Sequence, residues 1–159
     1  VYKNTSAEAF HMMAKLMEAG LPIATYARIL FRCKEKEHIA LLGKALPTMR
    51  YLCGGEIAGM HVSLQQIQDA GATSEHADGV VDYAIDAVGV KIAYFARETV
   101  DGNVKASLRA LTPYRVDAVA ERFGGGGHQL AAGCTMPGPL EQAVSKLEAA
   151  LQEAYLGGA

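Results

Sequence analysis

The run Phe123-Gly124-Gly125-Gly126-Gly127-His128, followed at once by Ala131-Ala132-Gly133, places four residues without side chains in succession and leaves a stretch of backbone amides bare. Glycine reaches positive φ without steric penalty, so the N–H groups of Gly125, Gly126 and Gly127 can converge on one anion, and the apolar turn beyond can present a helix N-terminus with its partial positive charge. His128 stands at the rim, where an imidazole donates to a phosphate oxygen or stacks on a base. The same residues also fit a helix C-cap glycine running into a flexible turn.

A second set of chemical groups lies about fifteen residues upstream. Val90, Ile92, Tyr94 and Ala96 alternate along one run and Val104, Ala106, Leu108 and Ala110 along the next, with Asp101-Gly102-Asn103 between them, which is the pattern of a β-hairpin. Both apolar sets are even-numbered, so sharing a face requires paired positions whose numbers sum to an even value, and a three-residue loop satisfies this. Placing that loop on residues 101–103 sets Val100 opposite Val104, Arg97 opposite Ser107 and Phe95 opposite Arg109. Arg97, Lys105, Ser107 and Arg109 then share the second face. That face is either an ordinary solvated strand surface or a phosphate platform, because the arginine fork binds phosphate oxygens in bidentate fashion and stacks on bases.

Other candidates are weaker. Arg115 and Asp117 fall in the first turn of the helix leading into the glycine run, where an acidic residue is favoured by the helix dipole, so a structural pair competes with a ligand contact. Glu75, His76 and Asp78 form a tight cluster of metal-ligating types, yet three ligands within four loop residues and no fourth nearby read as turn-formers. His11, His38 and His61 are isolated. Cys33, Cys53 and Cys134 contain no C-x-x-C pair and are expected to be small buried hydrophobes. No nucleophile–base pair, paired-carboxylate motif or G-x-x-x-x-G-K-S/T loop is present. The residues describe a phosphate or nucleotide site with no catalytic residue and no metal ligands of its own.

The elements that must position these groups can be read along the chain. Thr5 with Glu8 makes a capping box ahead of Ala7, Phe10, Met13, Ala14 and Met17 at helical spacing, and Gly20 closes that helix. Pro22 opens a second helix carrying Ile23, Tyr26, Ala27 and Leu30, and a third spans residues 37–49 with Ile39, Leu42, Leu46 and Met49 inward and Pro47 ending it. Residues 1–50 thus read as a helical connector and 51–159 as a strand-rich body. Within the body, residues 56–62 are expected as a strand, Ser63 caps a short helix to residue 70, and 71–76 is a loop. Residues 80–88 fit either helix or strand. After the hairpin come a helix over 113–123, the glycine run, a strand over 132–136, and an amphipathic helix over 139–155 with Leu140, Val144, Leu147 and Leu151 inward. The fold class is α/β: a mixed β-sheet flanked by helices and preceded by a helical arm.

With 159 residues, half of them hydrophobic, the chain can bury a core of its own. No apolar run approaches the ~20 residues that cross a bilayer, so a cytoplasmic protein without a membrane partner is expected. The net charge of −2 supplies no global field for a polyanion, so a nucleic acid partner must be short or held by a local cluster. Val1 at the start and Gly157-Gly158-Ala159 at the end are expected of a piece of a longer protein.

The run Val104-Lys105-Ala106-Ser107-Leu108-Arg109, then Val116-Asp117-Ala118-Val119-Ala120, then the glycine run with Ala131-Ala132-Gly133-Cys134, resembles the DHH-associated C-terminal domain of DHH-family phosphoesterases. Asn4-Thr5-Ser6 with the helices that follow resembles the end of the catalytic DHH domain and its connector, and Asp78-Gly79-Val80-Val81 the segment ahead of the hairpin. Within the family the likeness is to the bacterial oligoribonuclease and pAp phosphatase (nanoRNase) type. The resemblance implies a manganese-dependent enzyme whose N-terminal domain, absent here, holds two manganese ions, while this half grips a short oligonucleotide or nucleoside phosphate. Carried over by position, Arg109 and His128 contact phosphate or base, the amides of Gly125, Gly126 and Gly127 complete the pocket, and Ser107 and Arg97 assist. Alternative parents are a RecJ-like exonuclease, a cyclic dinucleotide phosphodiesterase, or a non-catalytic nucleic-acid module of the kind appended to alanyl-tRNA synthetases. If the connector helices normally pack against the other domain, their apolar faces are left open here and self-association through them is expected as an artefact; a homodimer is a further candidate partner.

Overall fold

A computed structural model describes residues 5–157; residues 1–4, with Val1 and Asn4, and Gly158 and Ala159 lie outside the described residues. The chain divides into two compact units, the first ending at Lys34 and the second beginning at Glu35. The first holds helices α1 (Ala7–Glu18) and α2 (Ile23–Phe31). Ser6, not Thr5, is the N-cap of α1, its hydroxyl accepting from the Ala9 amide at 3.2 Å. Pro22 caps α2 from one position outside the helix.

The second unit runs α3 (Lys36–Ala45), β1 (Arg50–Leu52), β2 (Ile57–Val62), α4 (Leu64–Asp69), α5 (Asp82–Ile85), β3 (Ile92–Glu98), β4 (Asn103–Ala110), α6 (Asp117–Arg122), β5 (Gly126–His128), β6 (Ala131–Pro137) and α7 (Leu140–Leu156). The six strands form one sheet in the order β1-β2-β3-β4-β6-β5. Only β2 and β3 pair in parallel, with α4 and α5 in the crossover between them; the other pairs are antiparallel. This is the mixed sheet flanked by helices that the sequence pattern implies.

Both faces of the sheet carry a core. On the first face Ile92, Tyr94, Ala96, Val104, Ala106, Leu108 and Ala110 pack under α6 and α7, which contribute Val119, Ala120, Leu140, Val144, Leu147 and Leu151. The Tyr94 hydroxyl also donates to Glu148 of α7 at 2.5 Å, tying helix to sheet. On the second face Ala58, Met60, Val62, Ala93 and Phe95 pack under α3, α4 and α5. Residues of β2 are therefore buried throughout. Within the second unit this cover lies over β2 and β3 and reaches β4 through α5, and the second face of β6 and β5 lies beyond it.

Several local expectations shift. In α3 the buried residues are His38, Leu41, Leu42 and Ala45, whereas Ile39 and Leu46 are exposed. The inward stripe is rotated because His38 Nδ1 donates to the His76 carbonyl at 2.9 Å and seats the helix on that side. The hairpin keeps the expected faces and a three-residue loop, but the loop lies one residue earlier, on Val100-Asp101-Gly102: Arg97 pairs with Lys105, Phe95 with Ser107 and Ala93 with Arg109. Such a loop needs a left-handed residue at its last position, and Gly102, with φ +78°, supplies it. The 113–123 helix is shortened to α6. Residues after the glycine run form no helix N-terminus; they are strand β6. Cys134 is buried as expected, but Cys53 is half-buried and Cys33 exposed. Among the described residues no helix is long and apolar enough to cross a membrane.

Candidate functional site

Cross-strand register places the chemical groups in rows on the uncovered half of the sheet. Arg109 of β4 lies opposite Ala131 of β6, and Ala131 opposite His128 of β5. One pair further along, Ser107 faces Gly133 and Gly133 faces Gly126. Partners in register share a face, and neighbouring strands are ~4.8 Å apart, so Arg109 and His128 flank a trough about 10 Å across at the backbone. Its floor is Ala131, Gly133 and Gly126; Ser107 and Lys105 continue along β4 beside it. Lys105 and His128 are exposed, while Ser107, Arg109, Gly126 and Gly133 are half-buried.

The glycine run is not a loop wrapped about an anion. Gly126, Gly127 and His128 form an edge strand, and the hairpin to β6 turns through Gln129-Leu130. Each glycine has its own reason. Gly125 donates its amide to the Ala120 carbonyl at 2.9 Å and ends α6, and a Cβ there would run into the Gly133 carbonyl and Cys134. Gly127 has φ +147° and would bring a Cβ to 2.6 Å from the backbone of Ala131 and Ala132. Gly126 has neither constraint: its φ is ordinary and nothing stands within 4 Å of the Cβ position. The fold demands glycine at 125 and 127. It does not demand it at 126, where the missing side chain leaves the trough floor flat. As an edge strand, β5 also presents backbone polar groups that no neighbouring strand takes.

Arg109 is held from two sides. Its Nε donates to Asp82 Oδ1 at 3.0 Å and its Nη1 to the Leu108 carbonyl at 3.1 Å, which leaves Nη2 without a partner among the described residues. Asp82 escaped the sequence reading because it lies 27 positions from Arg109 and only the packing of α5 on the sheet joins them. Arg97, although on the same face, stands apart from the trough. It is one strand over and four residues along from Arg109, ~14 Å by strand geometry, and lines a separate cavity of about 390 Å³ with Leu64, Ile67, Ala72 and Val100. Burial pushes its guanidinium pKa down, partly offset by Asp78.

Arg115 and Asp117 engage each other, with contacts of 3.2 and 2.7 Å, and the hydrogen bond to Arg115 holds the Asp117 carboxyl below the usual carboxylate range. Among the described residues the one grouping of metal-ligating types is Glu35, Glu37 and His76; Glu75 and Asp78 do not join it. It does not fit the pair of ions that the family resemblance implies. His76 Nδ1 accepts the Thr73 amide at 2.8 Å, so the ring proton sits on Nε2, which faces Glu35 at 2.7 Å. Neither nitrogen offers a free lone pair.

Residues 58–155 match the DHHA1 domain, and they are more than half of the chain. The chain belongs to the DHHA1 family. The chain is 31% identical over 156 residues to the bifunctional oligoribonuclease and PAP phosphatase NrnA of Thermus thermophilus, covering 96% of this chain and 45% of that protein. Among solved structures, an exopolyphosphatase-related protein from Bacteroides fragilis superposes with a TM-score of 0.87 at 23% identity, over 98% of this chain and 46% of the other. PggH from Vibrio cholerae, a pGpG-specific phosphodiesterase, gives a TM-score of 0.52 at 12% identity, over 98% of this chain and 53% of the other. The last two show a shared fold. The chain spans about half the length of the proteins it matches, and the relationship agrees with the sequence resemblance to DHH-family phosphoesterases.

Proposed function

We propose that this chain is the nucleotide-binding half of a phosphodiesterase acting on short oligonucleotides and nucleoside bisphosphates. The catalytic manganese ions would be held by a DHH domain outside the chain. The observation that carries the reading is Gly126. It is a glycine the fold does not require, on the floor of a trough walled by Arg109, Ser107 and His128. Arg109 offers its free Nη2 to a phosphate oxygen, the Ser107 hydroxyl and the His128 imidazole add neutral or charge-assisted donors, and a base can lie flat over Gly126 and Gly133. Arg97 is too far away to share that phosphate and takes no part in this grip. Similarity to the Thermus oligoribonuclease and PAP phosphatase supports the substrate class. The Ser107 hydroxyl has no hydrogen bond to a base among the described residues that would activate it as a nucleophile, so the role read here is to hold and orient.

Calorimetric titration of the chain with adenosine 3′,5′-bisphosphate, with pGpG as a competing probe, tests this. Saturable binding that Arg109→Ala and His128→Ala each weaken by at least about tenfold is expected, ~1.4 kcal/mol per substitution. Manganese added to the same samples should yield no hydrolysis. Binding indifferent to both substitutions would overturn the proposal.

A further inference from the structure

Asp82 is mounted more firmly than its half-exposed carboxylate suggests. It opens the short helix α5, and Val80, Val81 and Ala84 around it in the chain are in the core while Tyr83 is exposed. Its amide donates to the Gly79 carbonyl at 3.1 Å. The carboxylate has one side-chain partner among the described residues, the Nε of Arg109. The Leu108 carbonyl fixes Nη1 from the opposite side. A free arginine side chain samples many rotamers, and ordering it on ligand arrival costs affinity. Here two contacts order it in advance and leave Nη2 for a phosphate oxygen.

We propose that Asp82 is the positioning residue of the phosphate site, a rigidly held acceptor that aligns the Arg109 guanidinium for an incoming phosphate through the Nε–Oδ1 hydrogen bond. The inference rests on the phosphate-binding reading of Arg109 given above. Two other roles make different predictions. An incidental surface ion pair would leave binding untouched. A carboxylate that competes with the ligand for Arg109 would weaken binding, and removing its charge would tighten it.

Asp82→Asn keeps the acceptor oxygen and removes the charge; Asp82→Ala removes both. Titrated with adenosine 3′,5′-bisphosphate, Asp82→Ala should bind about tenfold more weakly while Asp82→Asn stays within about threefold of the parent. Asp82→Ala combined with Arg109→Ala should be no weaker than Arg109→Ala alone. Independently of any ligand, the Arg109 Nε proton seen by ¹⁵N NMR should be slow to exchange in the parent and in Asp82→Asn, and fast in Asp82→Ala. Unchanged affinity and unchanged exchange in Asp82→Ala would overturn the assignment, as would tighter binding by both variants. Should Arg109→Ala bind as the parent does, the phosphate-site reading itself fails, and Asp82 with it. Thermal unfolding of each variant, expected within a few degrees of the parent because the carboxylate is half-exposed, separates positioning from loss of fold.

Discussion

Replacing Gly126 by valine separates what the glycine run does for the fold from what it does for a ligand. The backbone at 126 is in an ordinary strand conformation, and a new Cβ meets nothing within 4 Å. The Cβ itself therefore introduces no strain. Glycine in a strand interior is destabilising by roughly 0.5–1 kcal/mol relative to alanine, because it loses more freedom on folding, and a β-branched side chain suits a pleated surface better still. Gly126→Val should stabilise the domain by about that amount and raise the melting temperature by roughly 1–4 °C. The added side chain stands on the trough floor, level with Gly133 and Ser107. It should lift a bound base or phosphate off those residues and weaken adenosine 3′,5′-bisphosphate binding by about tenfold or more, ~1.4 kcal/mol.

Gly125→Ala is the control with the opposite outcome. Its methyl would enter the space of the Gly133 carbonyl and Cys134, forcing β5 away from β6 at a cost of about 1–3 kcal/mol. Differential scanning calorimetry and isothermal titration on the same preparations read both quantities. A Gly126→Val protein that is more stable and binds as tightly as the parent would refute the placement of ligand on the floor. One that is destabilised would refute the account of why this glycine is free.

Tyr94 offers a pH-dependent signature: burial first, and then the hydrogen bond to the Glu148 carboxylate, push its phenol well above the ordinary tyrosine value. A raised folded-state pKa gives stability that is complete below the unfolded value near 10 and is lost as pH rises above it. Ultraviolet titration should therefore show one phenol ionising only with alkaline unfolding, and Tyr94→Phe should abolish that coupling while costing about 1.5–3 kcal/mol at neutral pH. On α3, Ile39→Lys should change stability by no more than about 0.5 kcal/mol because Ile39 is 53% exposed. Leu41→Ala should cost about 2–5 kcal/mol because Leu41 is fully buried; chemical denaturation distinguishes the two.

What was legible in the sequence depended on whether a signal was carried by side-chain alternation or by packing. The faces of β3 and β4 follow from parity alone, which places Arg97, Lys105, Ser107 and Arg109 on one side, as the strand pairing does. The register missed by one pair, because the turn is decided by where a left-handed residue falls, and Gly102 rather than Asn103 closes the loop. The glycine run could not announce itself as a strand: without side chains there is no alternation to read, and β5 exists because β6 pairs with it. Ile39 and Leu41 are equally apolar, so the buried stripe of α3 was settled by a contact between His38 and the His76 carbonyl, 38 residues apart in the chain. Arg97 shows the limit of shared parity. Two residues on one face can still be separated by the length of a strand.

The position of the trough follows from the order of the elements. Within the second unit the helices that cover the second face, α3, α4 and α5, precede β3 in the chain and pack over β2 and β3, with α5 reaching β4. The two helices that come later, α6 and α7, both pack on the first face. Within the second unit only α5 reaches β4 on the second face, and no helix of that unit is left to cover β6 and β5 there. A sheet face without cover has to be solvated or occupied, and its composition shows which occupant suits it. An apolar partner would need an apolar floor, whereas this one carries Lys105, Ser107, Arg109, Thr135 and His128 around residues no larger than alanine. Cationic and hydroxyl donors around a flat, shallow floor match a ligand that is anionic at one end and planar at the other. Neither property is needed for the stability of the sheet, whose cores lie under the helices, so the trough is the part of the fold free to be shaped by what it binds.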